Sequence, residues 1–193
     1  MKLPIVQYGH PVLRQKGARI EKITPEIEQL IQDMLDTMYH EKGVGLAAQQ
    51  VGRALQLTVI DVREATDRPS TLELNGAPAD PASIMPLVLI NPEWKAVNDP
   101  VAGPEGCLSF PEIYADVSRP ESIDVTAMNA KGEKIEFRAG GLLSRAVQHE
   151  YDHLHGVLFI DRMEKAALKK IKPELDGLVY STRNALNKAR RRG

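Results

Sequence analysis

Residues 148–159 read QHEYDHLHGVLF and hold the chain's densest group of residues able to do chemistry. His149 and His153 are four apart. On a helix both imidazoles then leave from one face, one turn apart, and two nitrogens can reach one cation. Glu150 lies about 100° round the helix from His149. That angle is poor for a ligand but suits a general base acting on water beside the cation. Residues 140–156, GGLLSRAVQHEYDHLHG, read as that helix, with Gly156 as its stop. Leu142, Leu143, Ala146 and Val147 make it a buried one. Buried imidazoles need partners, which favours a metal over two ordinary histidines.

A catalytic metal site usually takes three protein ligands and keeps one position open. One extended motif, H-E-x-x-H-x-x-G-x-x-H, is met at Gly156 but ends here in Phe159, which cannot bind a metal. Glu164 and Glu174 stand downstream in a Lys-rich segment that reads as exposed. His155 faces elsewhere on the helix, and His10 and His40 belong to no such pattern. Upstream, PEGCLSFPE (104–112) carries Cys107, the chain's only cysteine, beside Gly106. A thiolate suits zinc or ferrous iron, whereas a lone cysteine is also often a small buried hydrophobe. On the residues alone both readings stand. Two histidines and a cysteine would leave one position for water, the arrangement of a catalytic rather than a closed structural site.

The elements that must position these groups read as α+β. Residues 25–42 predict a helix, with Thr24 as N-cap, Pro25 in the first turn and Gly43 at the end. GVGLAAQQVG (43–52) is short and rich in small residues. LQLTVIDV (55–62) alternates like a strand, 63–84 reads as a polar surface loop, and LVLINPEWKAV (87–97) begins as a buried strand. Residues 122–139 predict a hairpin turning at NAKG. Beyond Met163 the chain is Lys-rich and helical in character. Pro173 should break that helix or start another, and Leu175, Leu178 and Val179 could dock it.

The 193 residues predict one domain, 1–193, with 164–193 as a helical, basic tail. A formal net charge of −1 gives no general signature of DNA or membrane-surface binding. The basic end, Lys188, Arg190, Arg191 and Arg192, either contacts a polyanion or is a solvated terminus. A single cysteine allows no intrachain disulfide. Neither a signal peptide nor a membrane-spanning stretch is visible, so the expectation is a cytoplasmic protein.

Four segments in order then carry a family resemblance. GHPVLR (9–14), GVGLAAQQ (43–50), EGCLS (105–109) and QHEYDHL (148–154) resemble the motifs of the peptide deformylases, over about residues 5–163. That family removes the N-formyl group from newly made proteins. The resemblance implies a bacterial-type member with small antiparallel sheets packed around a central metal-binding HExxH helix, followed by a C-terminal helix. It implies Cys107, His149 and His153 as metal ligands and Glu150 as the catalytic acid/base. It implies the Gln50 amide and the Leu108 N–H as donors to the formyl oxygen; Gln50 without the motif would read as a surface glutamine. Val44 and Gly45 are implied to line the substrate cleft, and Leu142 and Ala146 the methionine pocket. The cofactor implied is one divalent metal, Fe2+ in the cell, with Zn2+, Ni2+ or Co2+ as alternatives. The partners implied are N-formylmethionyl nascent peptides and, through the basic tail, the ribosome. The competing readings are a metallopeptidase cutting internal amide bonds and a non-catalytic ribosome-associated protein with a structural metal.

Overall fold

A computed structural model describes residues 1–191; Arg192 of the basic end lies outside the described residues. Helix α1 spans Pro25–His40. The Thr24 hydroxyl accepts from the Ile27 N–H at 3.4 Å, and Pro25 sits in the first turn, where its missing N–H leaves nothing unpaired. Ile31, Met34, Leu35 and Met38 recur at helical spacing and are buried. The helix stops at His40, short of the expected 42, and the Gly43 N–H closes onto Met38 O at 2.9 Å.

Among the described residues nine strands follow, and every pair of them is antiparallel. They are β1 (Gly45–Ala47), β2 (Leu57–Ile60), β3 (Ser70–Leu74), β4 (Ala77–Ala79), β5 (Leu87–Ala96), β6 (Pro100–Cys107), β7 (Phe110–Pro120), β8 (Ser122–Met128) and β9 (Lys134–Gly140). Seven form one sheet in the order β1-β2-β5-β8-β9-β3-β4, and β6-β7 stand apart as a two-stranded ribbon. The main sheet is larger than the small sheets expected. The difference lies in residues 63–84, which are not simply a surface loop. They contain β3 and β4, and a 3-10 turn at Pro81–Ile84. Leu72 is buried and pairs with Ala139 of β9, so the segment extends the sheet. Asn75 and Gly76, both left-handed at φ 52° and 76°, form its two-residue turn.

The sheet is covered on both faces. Met34 and Met38 of α1 pack with Leu57, Val59 and Ile90. The other face packs on helix α2 (Gly141–Leu154), where Leu142, Leu143 and Val147 meet Ile60, Leu89 and Val125. Of the 14 residues of α2, 11 are buried, so nearly every side of the helix faces protein. Gly141 makes the corner from β9 into α2 with φ 61°; a Cβ there would fall 2.3 Å from Pro69 O. Gly156, left-handed at φ 71°, follows the helix where a stop was expected.

A third cluster joins Phe110 and Phe159 to Leu13 and Leu175. It receives the C-terminal helices, α3 (Lys165–Lys170) and α4 (Lys172–Arg190). Pro173 lies in the first turn of α4 and starts a helix rather than ending one. Leu175 is buried, Leu178 packs on the cluster, and the backbone of Val179 lies against Gly9. Among the described residues no helix is long and apolar enough to cross a membrane.

Candidate metal centre and cleft

β6 ends at Cys107, where the ribbon turns over Leu108 and Ser109 into β7. α2 brings His149 and His153 to the same place. One ligand atom from each of the three residues lies within 4.8 Å of the others, the one such group among the described residues. Cys107 Sγ and His153 Nε2 are 3.3 Å apart. His149 Nδ1 lies 2.9 Å from Glu105 Oε2, which leaves Nε2 as the ring's other ligand atom. A thiolate and two imidazoles at this separation suit a tetrahedral cation with one position open. Glu150 Oε2 beside them is buried with no hydrogen-bond partner among the described residues. The residues present therefore fit a metal. His10 instead caps a 3-10 turn, His40 lies by Lys2 and Glu41, and His155 packs on Tyr151.

Burial governs the titration of the centre. It pushes Glu150 up to about 7, although His149 pulls the other way. It pushes His153 well below the ordinary histidine value, and the charge on His149 adds to that. Burial also opposes a proton on His149, but Cys107 and Glu105 outweigh it and hold that ring well above the ordinary value. The two imidazoles thus separate, and the proton stays on the one facing Glu105.

The cleft in front holds about 500 Å³ and is lined by every predicted site residue named as lining or donor, and by Cys107, His149 and Glu150. His153 sits behind them. Gly45 passes so close to Glu150 that a Cβ would fall 2.5 Å from Oε1; the second glycine of GVG is where the backbone must approach the carboxylate. The Val44 carbonyl accepts from the Asp61 N–H at 2.8 Å, which fixes the cleft edge. Gln50 is not at the surface: it is 1% exposed. Its Oε1 accepts from the Ala47 N–H at 2.9 Å, so Nε2 is the end turned toward Cys107 Sγ, at 3.3 Å. Leu142 and Ala146, a turn apart on α2, contribute apolar wall. Arg145 turns away from them toward the ribbon, where it donates to Val101 and Val117 carbonyls.

Two groups escape the sequence reading. Tyr114 stands at the cleft with 73% of its surface exposed, its ring against Gly106. The other is a buried ion network. Glu105 is held by Arg119 Nε at 2.5 Å and Nη2 at 2.9 Å, and Arg119 Nη1 donates to Asp152 at 2.8 Å. Arg162 also donates to Asp152, at 2.5 and 2.6 Å. Burial raises the Glu105 carboxyl, but Arg119 and His149 outweigh it and hold it well below the usual carboxylate range. The available signal was a charged residue inside each ligand motif, Glu105 in EGCLS and Asp152 in HEYDH.

A sequence model described as polypeptide deformylase matches residues 2–169. The chain belongs to the peptide deformylase family. A peptide deformylase from Methylacidiphilum infernorum is 47% identical over 91% of this chain and 92% of its own. One from Opitutus terrae is 46% identical over 96% and 97%. The crystal structure of a peptide deformylase from Synechococcus elongatus in complex with actinonin superposes with a TM-score of 0.73 at 39% identity, covering 93% of this chain and 85% of that one. Deformylase chemistry is hydrolysis, the removal of the N-formyl group from newly synthesised polypeptides, and this chain is an enzyme of that kind. The reading as a peptidase of internal amide bonds is not favoured.

Proposed function

We propose that deformylation is carried out at the centre built by Cys107, His149 and His153, with Glu150 as acid/base. The observation that carries this is a half-buried thiol and two buried imidazoles meeting a buried carboxylate oxygen that has no partner among the described residues. Cys107, His149 and His153 would hold one divalent cation, Fe2+ in the cell, with Zn2+, Ni2+ or Co2+ as substitutes. When bound, the cation supplies Lewis-acid activation of water and of the formyl oxygen. Glu150 takes a proton from the attacking water and delivers it to the leaving nitrogen, giving formate and a free α-amine. Burial pushes Glu150 up to about 7 without the cation, which makes it readier than an ordinary carboxylate to hold and return that proton. Gln50 Nε2 and the Leu108 N–H donate to the formyl oxygen as charge builds on it. Leu142 and Ala146 receive the methionine side chain. The backbone at Val44 and Gly45 pairs with the extended peptide.

The measurement that tests this is anaerobic formate release from a formyl-Met tripeptide, with metal content determined on the same sample. Release with about one metal per chain is expected. A fully metallated sample that releases no formate would refute the assignment.

Residues 1–193 form one catalytic unit on this reading, with 164–193 its helical, basic tail, working in the cytoplasm beside nascent chains. Lys188, Arg190 and Arg191 are exposed along the end of α4, which supports a ribosome contact. Truncation after Leu186 should reduce ribosome co-sedimentation, most at low salt; undiminished binding would refute it.

A further inference from the structure

The β6-β7 ribbon shares no ladder with the seven-stranded sheet, yet it ends in Cys107. Its place against α2, which carries both histidines, therefore rests on side chains. Ser144 and Gln148 hold its far end at the Pro120 carbonyl, at 3.2 and 2.9 Å. Arg119, beside Pro120 on β7, ties that end to Asp152 and to Glu105 on β6.

Arg119 also joins both strands to α2, but through side chains alone; Arg145 grips the main chain of both. It lies on α2 one turn before His149, with its side chain 12% exposed. Nη1 donates to Val117 O on β7 at 2.7 Å, and Nη2 to Val101 O on β6 at 2.8 Å. One planar fork thus spans both strands. Nη1 also reaches Glu105 Oε1 at 3.0 Å, and the other oxygen of that carboxylate lies 2.9 Å from His149 Nδ1. Gly103 opens the path: a Cβ there would sit 2.9 Å from Nη2 and 3.1 Å from Cζ. Four hydrogen-bond acceptors on the ribbon, counting a long contact to Gly103 O at 3.4 Å, hold the guanidinium in place.

We infer that Arg145 is a positioning residue: by clamping both strands of the ribbon and Glu105 to α2, it sets the placement of Cys107 against His149 and His153, and with it the affinity for the cation. The inference rests on the proposed reading of those three residues as ligands. Charge makes the test sharp. Removing a nearby positive charge relieves Coulomb repulsion and should by itself strengthen cation binding. Weaker binding on loss of Arg145 would run against that charge effect and report lost placement of the ribbon and of Glu105.

The test uses the full chain loaded with cobalt(II). Affinity is read by chelator competition, thiolate ligation by the sulfur-to-cobalt absorption band, and ribbon order by amide hydrogen exchange. Arg145→Met keeps the stem and removes every donor. Gly103→Val crowds the fork without touching α2. Arg145→Lys keeps the charge but cannot span two strands. Arg145→Met and Gly103→Val should each bind cobalt about 10–100-fold more weakly, with faster exchange across 101–107 and 115–119. Arg145→Lys should fall between them and the parent. Parent-like affinity in Arg145→Met overturns the inference, as does weaker binding with unchanged ribbon exchange. Should Arg145→Met not fold, parent-like affinity in both other variants overturns it. A parent chain that binds no cobalt refutes the ligand assignment instead.

Discussion

Glu150 combines a buried carboxylate, an unpartnered Oε2 and a value of about 7. Glu150→Gln keeps the shape and removes the proton acceptor. It should lower kcat/KM by about 10²–10⁴ while metal content stays at the parent level; near-parent turnover would exclude the role. The pH dependence has a definite sign. In the proposed role the working base is the carboxylate, so activity should fall as pH drops through its pKa. A bound cation favours the carboxylate, so the acid limb should lie below 7 and vanish in Glu150→Gln. Gln49, next to Gln50, is fully buried and neither of its amide atoms has a partner among the described residues. A desolvated amide of that kind costs about 1–3 kcal/mol. Gln49→Met should therefore raise stability by about 1 kcal/mol, or Tm by about 2–4 °C. A lower Tm in a melting curve would show that ordered water completes the site.

At the scale of elements, the two helices that matter were readable because their signals are local. Thr24 and Pro25 mark the start of α1, and Gly156 marks the turn after α2. The hairpin of β8 and β9 was readable from its turn for the same reason. The β3-β4 hairpin was hidden by its composition. Asn75-Gly76 is a strong two-residue turn signal, but Pro78, Pro81 and the polar residues before them read as loop. Only pairing with β9 makes the segment a strand, and that partner is some 65 residues away in sequence. The turn can be tested by itself. Gly76 has φ 76°, and a Cβ added there would meet no atom within 4 Å, so Gly76→Ala carries a conformational penalty and no clash. Urea denaturation should show a loss of about 1–2 kcal/mol. No loss would mean that the turn is not held left-handed in solution.

At the scale of the whole molecule, the site is legible in its ligands and illegible in what braces them. The histidines announce themselves by type and spacing, and Cys107 only through the motif around it. Glu105, Arg119, Asp152 and Arg162 do not, because charged residues read as solvent-facing until the fold buries them. Glu105, Arg119 and Asp152 have side chains only 3% exposed, and together they lock β6, β7, α2 and the 3-10 turn after it. Removing one member of a buried network leaves charge uncompensated, at a typical cost of about 3–5 kcal/mol. Arg145 and Arg162 still serve the two carboxylates, so Arg119→Met should fall at the low end of that range. The network also sets a pH signature. Glu105 is held below its unfolded value, so the unfolded chain binds more protons in that window and stability rises with pH there. The contribution is complete above about pH 4.3 and drains away as pH falls further toward the folded value. With metal stripped from both proteins, the stability gap between parent and Arg119→Met should be widest near neutrality and narrow in acid. A gap that stayed constant from pH 7 down to pH 3 would show that Arg119 contributes by packing alone, and that the charge on Glu105 is not what holds the ribbon to the helix.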